Sequence, residues 1–165
     1  SHTHPFKPIF DKNSKILILG SFPSVISRKF GFYYTNPQNR FWRVLAGVLN
    51  APLPESTDEK IKFLLSHHIA IYDAAISCEI EGSSDAKMTA VVPANLKPIF
   101  KEANIMQVYA NGGKAYEICK KYLKDEIIKA TKNEVIKLPS TSPANAKFSL
   151  EKLAKKWSMI VRELE

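Results

Sequence analysis

The chain has 165 residues, the usual size of one domain, and we predict a single domain over residues 1–165. No apolar run approaches the roughly 18 to 20 residues that span a bilayer, and no secretory signal pattern is present, so we expect a cytoplasmic protein with no membrane partner. The formal net charge of +8 makes nucleic acid the first candidate partner, although lysines that only solvate helix faces would give the same charge.

Short apolar runs, each broken by Gly, Pro or polar residues, predict four strands. They are "KILILG" (15–20), "IAIYDA" (69–74), "IMQVYANGG" (105–113) and "EVIKLPS" (134–140). Helical patterns alternate with them or follow the last one, over 38–49, 57–67, 95–102, 114–123 and 150–164. This alternation implies right-handed crossovers and a parallel sheet covered by helices on both faces, which is an α/β fold.

The segments that directly follow the predicted strands are expected to form one rim. They are "GSFPS" (20–24), "DAAISCEIEGSSD" (73–85), "NGG" (111–113) and "LPSTSPAN" (138–145). In open parallel sheets, ligands bind beyond the carboxyl ends of the strands. The sequence therefore predicts that the functional site lies on this rim.

Cysteine and histidine usage gives no sign of a metal site. Cys78 and Cys119 are far apart in sequence and lack a paired spacing, which indicates reduced thiols rather than a disulfide or a zinc site. His2 and His4 lie near the N-terminus without acidic neighbours, a weak pattern for a metal. We expect no metal and no cofactor.

The stretch "YYTNPQNRFW" (33–42) is rich in aromatic and amide side chains but has no acid, histidine or cysteine. Asn36 followed by Pro37 predicts a helix start, with Asn36 as the N-cap and Pro37 at the first helical position. Asn39 then falls at the third helical position, from which its side chain can point back toward the rim.

The aromatic residues of this region divide into two groups. Phe41 and Trp42 belong to the apolar face of the predicted helix and are expected in the core. Phe32 and Tyr33 precede the helix in a loop. They either stack on a nucleobase or form a small core beneath the loop, and the sequence leaves both alternatives open.

The segments "LILGSFPS", "YYTNPQNRFWRVL", "ANGGKAYE" and "LPSTSPAN" together resemble the uracil-DNA glycosylase superfamily. Within it, the chain resembles the hypoxanthine-DNA glycosylases, also called DNA-deoxyinosine glycosylases, from about His4 to Trp157. It is also similar to the mismatch-specific uracil and thymine glycosylases. The resemblance implies a three-layer α/β/α sandwich around a central four-stranded parallel sheet. It also implies hydrolysis of the bond between a flipped, deaminated base and deoxyribose, which leaves an abasic site.

The resemblance also implies roles for the rim segments. The loop of the first motif, Gly20 to Phe22, would read the edge of the flipped base through its backbone and position water, and Phe32 or Tyr33 would stack on that base. The second motif, Ser140 to Asn145, would grip phosphates through Ser140 and Ser142 and would wedge into the gap in the duplex through Ala144 or Asn145. The implied base-binding residues are Gly20, Ser21, Phe22, Phe32, Tyr33 and Asn111. The implied DNA-binding residues are Ser24, Ser140, Ser142, Pro143, Ala144 and Asn145.

The chain departs from the uracil enzymes at two catalytic positions. Those enzymes place Asp or Asn where this chain has Phe22, and often His where it has Leu138. In the hypoxanthine family the catalytic role is thought to pass to an asparagine at the helix start, which matches Asn39, with Asn36 as the fallback.

Three residues of the rim have alternative interpretations that the sequence leaves open. Asp73 or Asp85 could serve as a base or hold a loop, or each could be an ordinary turn or cap residue. Asn111 could bind a base edge or be a turn amide.

We therefore expect a monofunctional glycosylase that acts as a monomer on DNA with deaminated bases, chiefly hypoxanthine. The lyase reaction of bifunctional enzymes needs a nucleophilic amine, and no lysine lies in the first-motif segment (20–24) or the second-motif segment (138–145). Two alternatives remain. The first is an enzyme that prefers uracil in G·U pairs, and the second is an inactive nucleic-acid-binding module of the same fold.

Overall fold

The computed structural model of the protein describes residues 2–3, 6–80 and 88–165. In chain order the described strands are β1 (His2–Thr3), β2 (Ile16–Gly20), β3 (Ile69–Asp73), β4 (Ala75–Ile80), β5 (Met88–Pro93), β6 (Gln107–Asn111) and β7 (Ile136–Leu138). The described helices are α1 (Val25–Phe30), α2 (Phe41–Val48), α3 (Thr57–Ser66), α4 (Lys97–Glu102), α5 (Gly113–Ile118), α6 (Lys124–Thr131) and α7 (Leu150–Trp157).

The central sheet has four parallel strands in the spatial order β3-β2-β6-β7. All five residues of β2 are buried, because helices cover both faces of the sheet. Ile16 and Ile18 of β2 pack into a core with aromatic residues of α2 and α7, while Leu17 and Leu19 pack into a second core with α4, α5 and α6. The predicted three-layer α/β/α sandwich and its four strands are confirmed.

A second, antiparallel sheet in the order β1-β4-β5 was not predicted. The sequence assigned 73–85 to a rim loop, but β4 begins two residues after Asp73 and pairs with β5. No Gly or Pro separates β3 from β4, so the sequence lacks the usual mark of a new strand. Asp85 lies outside the described residues.

Two helical segments also differ from the prediction. Helix α1 was missed, and Ser24 is its N-cap, with the Oγ atom accepting a hydrogen bond from Ser27 N at 3.1 Å. The predicted helix over 114–123 is longer in the structure. Helix α5 is followed directly by a π-helical turn (Cys119–Leu123) and then by α6, so the helical segment continues to Thr131.

The start of α2 corrects the prediction for Asn36 and Pro37. The helix begins at Phe41, with Arg40 as the N-cap residue. The Asn36 side chain instead accepts a hydrogen bond from Gln38 N at 2.9 Å and closes a local turn. Asparagine side chains stabilise such turns as readily as helix starts, and here the turn is formed. Asn39 therefore precedes the helix and is not its third residue.

Helix α3 begins with a capping box. Ser56 Oγ accepts a hydrogen bond from Glu59 N at 3.1 Å, and Glu59 Oε1 accepts one from Ser56 N at 2.9 Å. Hydrogen bonds from the backbone N–H of Ser56 and Glu55 hold the pKa of Glu59 below its ordinary value. These contacts satisfy backbone N–H groups that the first turn of a helix leaves unpaired.

We expect Ser56→Ala to lower the free energy of unfolding by about 1 kcal/mol, because the N3 amide loses its acceptor. Urea denaturation of the variant and wild type measures this difference. Thr57→Ala is the matched control at the exposed first helical residue and should change stability little. Equal losses from the two substitutions would contradict a stabilising role for the capping box.

Within the described ranges, no helix is both long and apolar enough to cross a membrane.

Candidate active site

The carboxyl ends of the four parallel strands meet at one edge of the sheet, as predicted. Gly20 pairs in register with Asp73, and Asn111 pairs with Leu138. The loops after β2, β6 and β7 all leave from this edge. The loop after β3 contributes only its first residues, because β4 follows it.

Gly20 lies against two polar side chains. A Cβ atom at this position would overlap Asp73 Oδ1 and would lie 2.8 Å from the Tyr34 hydroxyl oxygen. Glycine is therefore required here, because its missing side chain leaves the space that the carboxylate and the phenol occupy. Asp73 is buried at the carboxyl end of β3.

The same carboxylate affects the neighbouring tyrosines. Burial raises the pKa of Tyr34 well above its ordinary value, and the negative charge of Asp73 raises it further. Burial and then Asp73 also raise the pKa of Tyr33 in the same way. Both phenols therefore remain neutral hydrogen-bonding groups at physiological pH.

We expect Tyr33 and Tyr34 to stay un-ionised in the folded protein when the pH rises past about 10, where an unfolded tyrosine loses its proton. Their folded pKa values are raised, so the unfolded chain releases more protons and stability falls as the pH rises above that point. Ultraviolet absorbance of phenolate during an alkaline titration measures this. Tyr33→Phe and Tyr34→Phe should remove absorbance only from the step that accompanies unfolding. A loss from the native-state titration instead would contradict the burial of these groups.

A buried threonine connects the helix start to the sheet. Thr141 Oγ1 lies 2.9 Å from Asn39 Oδ1 and 3.0 Å from Asn111 Nδ2. The Thr141 backbone N–H donates to Asn111 Oδ1 at 3.0 Å, and Phe41 N donates to Asn39 Oδ1 at 2.9 Å. Thr141 is fully buried. The structure thus brings Asn39 and Asn111, two of the predicted site residues, into one hydrogen-bond network.

The sequence places Thr141 in a rim segment but does not predict it as a site residue. The segment reads Ser140, Thr141, Ser142, and all three side chains offer a hydroxyl. Nothing in their order tells which one turns inward. Asn36 does not share this network, because its oxygen closes the local turn with Gln38.

Arg40 fastens the second-motif loop to the start of α2. Its guanidinium donates to the carbonyl oxygens of Ser142 at 2.9 Å, Asn145 at 3.0 Å and Phe148. Its backbone N–H donates to Thr141 O at 3.0 Å. A guanidinium has five N–H donors in a fixed geometry and can therefore bind several carbonyl oxygens at once. Arg40 thus has a structural role that was not predicted from the sequence.

The second-motif loop is also held by its own side chains. Ser140 Oγ accepts from Ser142 N, and Ser142 Oγ accepts from Ala144 N, each at 3.1 Å. Asn145 Nδ2 donates to Ser140 O at 2.9 Å. Pro143 and Ala144 are exposed at the tip of this loop. The predicted contacts of these residues with DNA remain predictions.

The turn after β6 brings the third and fourth rim segments together. Gly112 has a φ of 97°, a conformation that favours glycine, and a Cβ atom here would lie 2.9 Å from Ser140 Cβ. Its backbone N–H donates to Leu138 O at 2.9 Å. This close approach fixes Asn111 beside the loop that carries Thr141.

In the first-motif loop, the carbonyl oxygens of Gly20 and Ser21 both accept hydrogen bonds from the backbone. Gly20 O accepts from Ala74 N at 2.7 Å, and Ser21 O accepts from Ala75 N at 3.0 Å. Phe22 is half-buried, and the Arg28 guanidinium carbon lies 5.6 Å from its ring centroid.

Phe32 and Tyr33 are core residues. They are only 7% and 2% exposed, respectively. Phe32 stacks on Trp42 with ring centroids 6.2 Å apart, and the Tyr33 hydroxyl donates to Lys7 O at 2.6 Å. This packing agrees with the alternative interpretation, a small core beneath the loop. It leaves neither ring a face on which a base could stack, which corrects the base-binding prediction for both residues.

The described cysteines offer the site no reactive thiol, and its described residues form no metal-binding cluster. Cys78 and Cys119 are buried thiols outside any disulfide. Burial raises the pKa of the Cys119 thiol to about 12, so it is a poor nucleophile at neutral pH. In the part of the chain that the structure describes, no group of three or more His, Cys, Asp or Glu side chains could hold a metal ion.

The architecture defines an open α/β domain with buried amide, hydroxyl and carboxylate groups gathered at the carboxyl edge of its parallel sheet. The model of the uracil DNA glycosylase superfamily matches residues 7–164. This chain therefore belongs to the uracil DNA glycosylase superfamily.

Individual relatives match nearly the whole chain. A protein of Methanosarcina acetivorans named hypoxanthine DNA glycosylase is 30% identical over 161 residues, which are 95% of this chain and 96% of that protein. A protein of Methanosarcina barkeri with the same name is 31% identical over 156 residues, 93% of this chain and 94% of that one. The solution NMR structure of a candidate uracil DNA glycosylase from M. acetivorans superposes with a TM-score of 0.81, at 29% identity and with 98% of each chain covered.

Proposed function

We propose that this protein is a monofunctional DNA glycosylase that hydrolyses the bond between hypoxanthine and deoxyribose in DNA, as a monomer in the cytoplasm. Membership of the superfamily and the two relatives named hypoxanthine DNA glycosylase support this activity. The observation that carries the proposal is the Asn39 amide, which Thr141 and Phe41 N hold at the carboxyl edge of the sheet.

An amide is sufficient for this reaction. Glycosidic cleavage passes through an oxocarbenium-like transition state, in which positive charge develops on the sugar and negative charge on the departing base. The bond from C1′ to the base breaks with its electron pair going to the base. Water adds to C1′ and loses a proton, and the base gains one. Preorganised dipoles that stabilise the developing charge are worth several kcal/mol in a site that excludes water.

The net charge of the chain fits a DNA substrate. The net charge of +8 favours the approach of a polyanion. Ser24, Ser140, Ser142 and Pro143 are proposed to contact the DNA backbone, with Ser140 and Ser142 at the phosphates, while Ala144 at the exposed loop tip and Asn145 beside it are proposed to enter the gap left by the flipped base. Gly20, Ser21, Phe22 and Asn111 are proposed to line the pocket for the base.

Incubation with duplexes that hold a single inosine, xanthine or uracil, followed by alkali, tests this proposal. We expect alkali-dependent strand cleavage with inosine and none with an undamaged duplex. Cleavage mainly at uracil opposite guanine would instead support a uracil enzyme, as the name of the superposed NMR structure suggests for that protein. Shifted but uncut DNA would support a binding module. Strand breaks without alkali would contradict a monofunctional enzyme.

A further inference from the structure

The hydrogen-bond donors around Asn39 determine which way its amide faces. The backbone N–H of Phe41 can only donate, so the Asn39 atom that lies 2.9 Å from it is the oxygen. The same oxygen lies 2.9 Å from Thr141 Oγ1. The Asn39 nitrogen is therefore directed away from both partners.

A second backbone donor fixes the direction of the whole network. The N–H of Thr141 donates to Asn111 at 3.0 Å, so that atom of Asn111 is also the oxygen. The Asn111 nitrogen then donates to Thr141 Oγ1 at 3.0 Å. Because the hydroxyl accepts from Asn111, its own hydrogen is available for Asn39 Oδ1.

Both lone pairs of Asn39 Oδ1 are occupied by these two donors, and what Asn39 offers to a ligand is its pair of N–H groups. We propose that Thr141 is a positioning residue that fixes Asn39 as a hydrogen-bond donor to the departing base, rather than as the holder of the attacking water. Thr141 is fully buried and acts through Asn39. This inference rests on the proposed function, in which negative charge builds on the ring nitrogens and oxygen of hypoxanthine as its bond to C1′ breaks.

Matched substitutions at position 141 test the positioning role. Thr141→Val keeps the shape and removes the hydroxyl, and we expect it to lower the single-turnover rate on an inosine duplex about 10- to 100-fold. Thr141→Ser keeps the hydroxyl and should stay within about 3-fold of wild type. Affinity for a duplex that holds an abasic-site analogue should be unchanged in both variants, since the Thr141 side chain is fully buried. An equal loss of rate in the two variants would overturn the role of the hydroxyl.

A double-mutant cycle tests whether Thr141 acts through Asn39. In the Asn39→Ala background, Thr141→Val should cause little further loss of rate, because the group that it positions is gone. A full additional 10- to 100-fold loss in that background would show an independent effect and overturn the inference.

The Asn39→Asp substitution tests whether Asn39 donates a hydrogen bond to the departing base or holds the attacking water. This substitution keeps an oxygen for Phe41 N and Thr141 Oγ1 and replaces the amide nitrogen by a second acceptor. A donor role predicts a loss as large as that of Asn39→Ala. Retained activity on inosine would contradict the donor role.

An NMR measurement distinguishes failure of this inference from failure of the proposed function. The side-chain amide resonance of Asn39 is identified by its absence in Asn39→Ala. In Thr141→Val this resonance should shift and its relaxation should show a more mobile side chain, whereas Thr141→Ser should leave both unchanged. If wild type releases no hypoxanthine, the proposed function fails and the donor role falls with it, while the amide resonance still reports whether Thr141 orients Asn39. An unchanged resonance in Thr141→Val would overturn the positioning role in either case.

Discussion

Asn39→Ala is expected to lower the single-turnover rate of hypoxanthine release by about 100- to 1,000-fold, the usual effect of removing one preorganised donor from a catalytic site. The variant loses the amide that Thr141 and Phe41 N hold at the carboxyl edge of the sheet. Its stability should fall by about 1 to 3 kcal/mol, because Phe41 N and the buried Thr141 hydroxyl both lose their acceptor. Rapid-quench kinetics with excess enzyme measure the rate, and thermal unfolding measures the stability.

Asn36→Ala is the matched control for this prediction. Like Asn39, Asn36 is half-buried and its side chain accepts a hydrogen bond from a backbone N–H, that of Gln38. Unlike Asn39, it takes part, among the described residues, only in this local turn. We expect its rate to stay within about 10-fold of wild type, since the turn loses one exposed hydrogen bond and no site group is removed. If Asn36→Ala abolished activity and Asn39→Ala did not, the central residue would be Asn36.

Gly20→Ala is expected to abolish most activity and to lower the free energy of unfolding by about 1 to 3 kcal/mol, the usual cost of overpacking a filled interior. The new methyl group would overlap Asp73 Oδ1 and crowd the Tyr34 hydroxyl, so both groups must move away from the rim. Single-turnover kinetics and urea denaturation measure the two effects.

Gly47→Ala is the control for the backbone change itself. A Cβ atom at Gly47 meets nothing within 4 Å, and the residue lies within helix α2. Alanine should stabilise that helix by roughly 0.5 to 1 kcal/mol and leave activity intact. A Gly20→Ala variant as active and as stable as wild type would contradict the close packing at the first-motif loop.

The central sheet could be predicted from sequence because its strands are buried on both faces. β2 and β6 are buried at every position. β2 is a continuous apolar run, and β6 has an apolar centre between Gln107 and Asn111, so both can be recognised without a partner strand. The rim then follows from topology, since parallel strands bring their carboxyl ends to one edge.

The antiparallel sheet could not be predicted in the same way. β4 and β5 pair with register shifts between Ala75 and Ser77 and between Ser77 and Glu79, which interrupt the regular alternation that marks a strand. β4 also pairs with β1, whose residues lie far away in sequence. Local pattern alone therefore assigned the β4 segment to a loop. The start of α2 was wrong for a different reason, because Asn36 followed by Pro37 suits a turn as well as a helix.

The candidate site was predicted in part. Asn39 and Asn111 were identified as site residues, and the structure joins them through Thr141. Neither the inward orientation of Thr141 nor the burial of Phe32 and Tyr33 is written in local sequence, because each depends on tertiary packing. Polar and aromatic residues in loops can face either the ligand or the core, and only packing decides between these outcomes.

The most direct test of the central claim is the identity and amount of free base released from an inosine duplex by wild-type protein in a single turnover. Chromatography of the supernatant should recover hypoxanthine in equal amount to the abasic sites formed, and Asn39→Ala should release almost none in the same time. Absence of free hypoxanthine from the wild-type reaction, or equal release by Asn39→Ala, would contradict this account.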